Sequence, residues 1–211
     1  WSAGWESQAL LRARAVAGDE ELGEAFLRLV EPLRWPGEGL SDEALRQIRR
    51  LKARMEAERL PRGADRRTHL KLGLGGLSDV EWVAQVLQLR HAHEHPALRT
   101  TSTLETLRAG AAEGLVSQAD ADQLVETWEL ASALRDAGML WRGRVVDSVP
   151  SDLRDAEGMA RVMGRAPGQG AELANEWRRS ARHARAVMER LFYGERQAHR
   201  GEPSSSREGD H

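Results

Sequence analysis

The sequence predicts an all-α fold, a single bundle of about eight helices. Three observations lead there. Apolar residues recur three and four apart through nearly the whole of the 211 residues. Ser-led starts and Gly or Pro stops punctuate that pattern at helix-length intervals. Only Arg144–Val149 carries a strand-like run.

Taken in order, Trp5, Ala9, Ala13 and Val16 share the first helical face, and Leu22, Phe26, Leu29 and Val30 the second. Leu45, Ile48, Leu51 and Met55 form a third stripe behind a Ser41-Asp42-Glu43 start. From Ser78 the apolar positions Val80, Val83 and Leu87 are joined by Trp82, Val86 and Leu89. That face is too wide for a surface helix and marks a central one. Leu104, Leu107 and Ala111 follow, then Leu124, Trp128, Ala131 and Leu134. The last helix runs over residues 169–193, with Leu173, Trp177, Ala181, Ala184, Met188 and Leu191 inward. Ser78-x-x-Glu81 and Ser102-x-x-Glu105 both fit capping boxes. Gly114, Gly164 and Gly194 stand where helices should stop, and Pro36, Pro96 and Pro150 interrupt the periodicity. Residues 1–194 are expected to form the helical domain, and 195–211 a disordered C-terminal tail rich in Gly, Ser and charge.

Composition removes several classes of function. A net charge of −2 gives no global case for nucleic-acid binding. The absence of cysteine excludes disulfides, zinc fingers, iron–sulfur ligation and a thiol nucleophile. No apolar run reaches the roughly 18 residues of a membrane span. Seven of the ten aromatic residues are Trp, a bias toward anchoring residues; Trp128 and Trp177 fall on core stripes. Trp1, Trp5 and Trp35 are candidates either for local packing or for a surface shared with an upstream domain. A chain opening on Trp1 is expected to be a piece of a longer protein.

Charge is unevenly placed. Ten bases and three acids between Arg46 and Lys71 make that segment +7, leaving −9 for the rest. It reads either as a solvated helix face or as a surface that meets phosphate. The segment leads into Lys71-Leu72-Gly73-Leu74-Gly75-Gly76-Leu77-Ser78-Asp79, where a glycine-rich turn feeds a helix start. Backbone N–H groups of such a turn can approach an anion closely, with Lys71 in reach; the alternative is a tight turn and nothing more. It is neither a dinucleotide fingerprint, since no strand precedes it, nor a Walker loop, since no Gly-Lys-Ser/Thr follows. His91, His93, Glu94 and His95 match an H-x-x-E-H metallopeptidase spacing, but Pro96 ends the helix at once and leaves the ligands on its last turn. Asp120-Ala121-Asp122 has the spacing of a metal-binding carboxylate pair, yet it follows Ser117 in a first turn, where acids serve the helix dipole.

The motif Lys-x-Gly-x-Gly-Gly-Leu-x-Asp-Val-Glu-Trp at residues 71–82 resembles the glutamine synthetase adenylyltransferases. So do Gln85-x-x-Gln88-Leu89-Arg90-His91-Ala92, Trp5-Glu6-x-Gln8-Ala9-Leu10-Leu11-Arg12-Ala13-Arg14, Arg49-x-x-Lys52-x-Arg54-Met55 and Leu98-Arg99-Thr100-x-Ser102-Thr103-Leu104. The similarity covers residues 5–194. It implies a parent enzyme of two similar halves, each a nucleotidyltransferase domain followed by a helical one. One half moves AMP from ATP to a tyrosine of glutamine synthetase and thereby regulates nitrogen assimilation; in many members the other removes it. This chain would be the helical domain of the C-terminal, adenylylating half, cytoplasmic, with the catalytic carboxylates upstream of Trp1 and no transferase activity alone. ATP and Mg2+ would serve the parent. Partners would be glutamine synthetase, the upstream domain and a PII signalling protein. The resemblance points to Lys71, Gly73, Gly75, Gly76 and Asp79 as a wall closing over the nucleotide, and to Arg12, Arg14, Lys52 and Arg54 as phosphate-side or inter-domain contacts. A regulatory or docking bundle is the alternative function, and a metal hydrolase on the His cluster a distant third.

Overall fold

The computed structural model describes residues 4–194, the side chain of Trp5 excepted. The expectations for Trp1, Trp5 and residues 195–211 lie outside the described residues. Eight α-helices follow in order: α1 Gly4–Leu10, α2 Glu20–Arg34, α3 Asp42–Glu58, α4 Leu77–His91, α5 Thr103–Ala112, α6 Gln118–Arg142, α7 Leu153–Val162 and α8 Gly170–Met188. A 3₁₀ turn at Pro96–Leu98 leads to α5, and a π-helical turn at Glu189–Tyr193 closes α8. No strand occurs among the described residues. The strand-like run at 144–149 makes only an isolated bridge between His69 and Ser148. There Leu70 N–H donates to the Asp147 carbonyl at 2.7 Å and Val149 N–H to that of Thr68 at 3.0 Å.

Most helix starts follow the sequence rules. Asp19, Ser41, Ser102, Ser117 and Asp152 each accept from the N–H three residues on, satisfying a donor the helix cannot. Ser78 does not cap. The N-cap falls two residues earlier, on Gly76, which has no side chain to cap with, and Glu81 reaches outward to an ion pair with Arg12 at 3.6 Å. At Ser102 half the box forms: the Glu105 carboxylate takes the Thr100 hydroxyl instead of the Ser102 amide.

The core has two lobes. One surrounds α4, whose residues Val80, Trp82, Val83, Val86 and Leu89 are buried against α3, α5, α6 and the end of α8, as a central helix requires. The other packs Trp177 and Ala181 of α8 against Leu134 and Ala137 of α6 and Met159 and Ala160 of α7. Trp128 touches both lobes. Trp35 is packed locally, with the Arg34 guanidinium 5.0 Å from its ring centroid. α7 carries a stripe, Ala156, Met159 and Ala160, that is not among those drawn from the sequence above. It docks on small residues, Ala156, Gly158 and Ala160, with Trp141 lying over Gly158 where a Cβ would stand.

The N-terminal stripes behave otherwise than expected. α1 stops at Leu10, and Val16 is left 78% exposed in the connection. On α2, Leu22 and Leu29 are 71% and 76% exposed, Phe26 is exposed as well, and only Val30 is buried. The periodicity is real, but α2 packs chiefly on α1, and no described element covers its apolar face.

These environments separate two substitutions. Trp177→Ala, in a fully buried site, is expected to cost about 3–5 kcal/mol of stability. Leu29→Ala is expected to stay within about 0.5 kcal/mol. Urea unfolding followed by tryptophan fluorescence checks both.

Candidate functional site

The glycine-rich segment and the basic helix α3 meet, but inside the molecule. Lys52 projects from α3 into the core and is only 3% exposed; Asp79, in the first turn of α4, is 1% exposed. Lys52 Nζ lies 2.5 Å from Asp79 Oδ1 and 3.0 Å from Glu56 Oε1. The second Asp79 oxygen accepts from the Gly75 amide at 2.7 Å and from Arg185 at 3.0 Å. Arg185, on α8, also reaches Glu56 at 3.0 Å and Glu189 at 2.9 Å. Burial works against the Arg185 charge, but Asp79, Glu189 and Glu56 outweigh it and push its pKa up. The Trp82 ring centroid lies 5.9 Å from Lys52 Nζ and adds a cation–π contact. Three helices and one loop are thus joined through a desolvated carboxylate. The same surroundings raise the Tyr193 pKa, first through burial and then through Glu56.

The glycine loop is folded tightly enough to consume its own donors. Every amide from Lys71 to Asp79 donates within the chain. The Lys71 and Leu72 amides share Nδ1 of buried His69, at 3.3 and 3.1 Å. Gly75 has φ +73°, and a Cβ on it would stand 1.8 Å from the Ala181 carbonyl oxygen of α8. At Gly76 the corresponding Cβ would stand 2.6 Å from the Leu70 carbonyl oxygen. These glycines let α8 and the loop touch backbone to backbone.

The nine residues singled out from the sequence therefore divide. Lys52, Gly73, Gly75, Gly76 and Asp79 are buried around one network. Arg12 is held against α4 and α5, donating to Thr103 Oγ1 at 2.7 Å beside its pair with Glu81. Gln8 fastens the same segment to α4 through Gln85 at 2.6 Å. Arg14, Arg54 and Lys71 are exposed, with no side-chain hydrogen bond or ion pair to another described residue. The rest of the +7 segment is partly neutralised: Arg46 pairs with Glu43, Arg67 with Asp65, and Arg49 donates to the Phe192 carbonyl. Sequence reasoning missed Arg185 and Glu56, the partners that complete the network. They lie 129 residues apart and belong to no shared motif.

The other candidates find local partners. His95 faces Glu113 at 2.8 Å and His93 faces Glu94 at 3.6 Å. Asp120 receives the Ser117 cap and pairs with Arg190, while Asp122 accepts from Gln118 at 2.8 Å. Among the described residues no group of three His, Asp or Glu side chains could hold a metal ion. No described helix is long and apolar enough to cross a membrane.

Comparison with known proteins places this arrangement. A sequence profile for the family described as GlnD PII-uridylyltransferase matches residues 49–192. The chain is 56% identical over 92% of its length to the bifunctional glutamine synthetase adenylyltransferase/adenylyl-removing enzyme of Streptomyces avermitilis. It is 55% identical over 92% to that of Streptomyces coelicolor and 50% identical over 91% to that of Mycobacterium leprae. In each case it matches 19% of the relative, so the chain spans about a fifth of their length.

His69 supplies a pH test. Its pKa is pushed below 6.5, chiefly by burial, and Nδ1 must stay unprotonated to accept two amides. A base with a depressed folded pKa stabilises the fold fully above its unfolded value and loses that contribution as pH falls toward the folded one. His91, also lowered mainly by burial, acts in the same direction. Unfolding free energy is expected to drop as pH falls below about 6.5, and His69→Leu to flatten part of that drop while costing about 1–3 kcal/mol at neutral pH. Denaturant titrations between pH 5 and 8 check this.

Proposed function

We propose a function from one premise: the chain belongs to the family described as GlnD PII-uridylyltransferase. Its curated relatives at 48–56% identity are bifunctional glutamine synthetase adenylyltransferase/adenylyl-removing enzymes. The chain is the helical domain that stands behind a nucleotidyltransferase domain in such an enzyme, which uses ATP and Mg2+ to place AMP on glutamine synthetase. The observation that carries the reading is identity sustained over more than nine-tenths of the chain.

The chemistry of the residues narrows the role. The ligands of Mg2+ are assigned to the upstream nucleotidyltransferase domain of the longer enzyme. The loop amides are spent on the chain itself, so phosphate contacts fall to exposed cations at the surface: Lys71 beside the loop, Arg54 on α3 and Arg14 after α1. Lys52, Gly75, Gly76 and Asp79 act as positioning residues that fix the loop carrying Lys71. The uncovered α2 face, with Leu22, Phe26 and Leu29, supports a neighbouring domain in the longer protein. In that enzyme the metal stabilises the charge developing as tyrosine attacks the ATP α-phosphorus; this domain contributes positioning and positive potential.

A second reading rests on the far end of the bundle. Leu140, Val145 and Leu153 are exposed around the α6–α7 connection. Such a patch suits docking of glutamine synthetase or of a PII protein.

Calorimetric titration of ATP with Mg2+ into a longer chain that restores the upstream domain separates the two. Lys71→Ala or Arg54→Ala is expected to weaken binding by about 1–3 kcal/mol, the scale of a charged hydrogen bond. The 211-residue chain alone is expected to transfer no AMP to glutamine synthetase. Unchanged ATP affinity in both variants would remove the nucleotide role and leave docking in its place. Assaying AMP transfer and AMP removal by the longer chain assigns the half.

A further inference from the structure

A groove of about 340 Å³ runs along α8 between that helix and the glycine loop, with Arg185 and Glu189 of the ion network forming part of its wall. Its floor is apolar: Ala181 and Ala186 of α8, with Leu74 presented at the rim by the loop. Four guanidinium groups line it, Arg178, Arg182 and Arg185 on α8 and Arg67 opposite, against the one carboxylate of Glu189. Arg67 pairs with Asp65 at 3.3 Å, and the Arg178 charge acts on the same carboxylate. Arg182 has no hydrogen bond or ion pair to another described residue. The backbone contact of Gly75 with Ala181 fixes the separation of the two walls, so the groove is preformed.

We propose that this groove is a docking site for an acidic helical segment of a partner protein, one that presents carboxylates four residues apart around a small apolar residue. Three features select that occupant. Arg178 and Arg182 are one helical turn apart, about 6 Å along the axis, the same spacing as acidic side chains at i and i+4 on a facing helix. The cations are spread along the groove instead of converging on a point, and the neighbouring amides are all used, unlike a phosphate site built from backbone N–H groups. Between the cations lie methyl groups, which suit an apolar side chain and not a polyanion.

The inference stands on the groove alone and does not require the nucleotide reading above. The test uses the whole chain and fluorescence anisotropy of a labelled, capped alanine-based helical peptide carrying Glu pairs at i and i+4 with a Leu between them. A counterpart with Gln in place of Glu, inorganic triphosphate as competitor, and the variants Arg178→Gln/Arg182→Gln and Arg46→Gln/Arg50→Gln complete the set. The Glu peptide is expected to bind in a salt-dependent manner, with the Gln peptide and the α8 variant weaker by about tenfold or more. The α3 variant, equal in charge, is expected to leave binding unchanged, which guards against a merely global effect. Equal binding of both peptides, or binding untouched in the α8 variant, overturns the proposal. Displacement by triphosphate at the peptide's own affinity overturns it in favour of a small polyanion site. Self-association abolished by the α8 variant overturns it in favour of a second copy of the chain.

Discussion

A single buried carboxylate holds this bundle in register. Asp79 takes Lys52 from α3 on one oxygen and the Gly75 amide and Arg185 from α8 on the other. Desolvating such a group is expensive, and the arrangement is tolerable only because both oxygens meet donors, two of them cationic. Removing any partner leaves charge without compensation in the interior. The cost of misplacing α8 or the loop is therefore steep, and the network specifies geometry as much as it adds stability. The two lobes of apolar core could tolerate small shifts; the network, with its fixed donor directions, could not.

This explains why the glycine motif was readable and its meaning was not. Lys71 to Asp79 advertises a turn whose amides approach an anion, and the turn does bind one: the anion is the chain's own Asp79. Nothing local distinguishes an internal carboxylate from a ligand phosphate, because the completing partner, Arg185, comes from the far end of the chain. The basic run suffers the same ambiguity. Helical periodicity could have flagged Lys52, which falls four residues after Ile48 on the buried face of α3. Composition counted it with the surface arginines. The helices themselves were legible because period and caps are local properties: α3, α5, α6 and α8 start and face as their residues require. The failures were α2, where a true apolar stripe meets no partner in the described residues, and α7, whose short stripe of Ala156, Met159 and Ala160 is built mostly from small residues and was passed over.

The division between interior and surface shapes how the domain can serve an enzyme. A network that uses up Lys52, Asp79 and the loop amides makes a stiff platform, and stiffness is what presents Lys71 and the groove beside Leu74 in defined positions. The N-terminal segment is fastened to the same helix, through Gln8 to Gln85 and Arg12 to Glu81. α1 and the residues after it are thereby tied to α4, through Glu81 two residues beyond Asp79 and Gln85 one turn further. Asp79 thus stands where the N-terminal segment, the glycine loop and α8 converge on α4.

The central claim is that Lys52 and Asp79 act as one buried unit. A double-mutant cycle of Lys52→Met, Asp79→Leu and the combined variant, measured by urea unfolding at neutral pH, tests it most directly. Each single substitution strands a charge and should cost about 3–5 kcal/mol. The pair should be less destabilising than the sum by about 2–3 kcal/mol. Additive losses below about 1 kcal/mol each, the range of solvent-exposed ion pairs, would contradict the account.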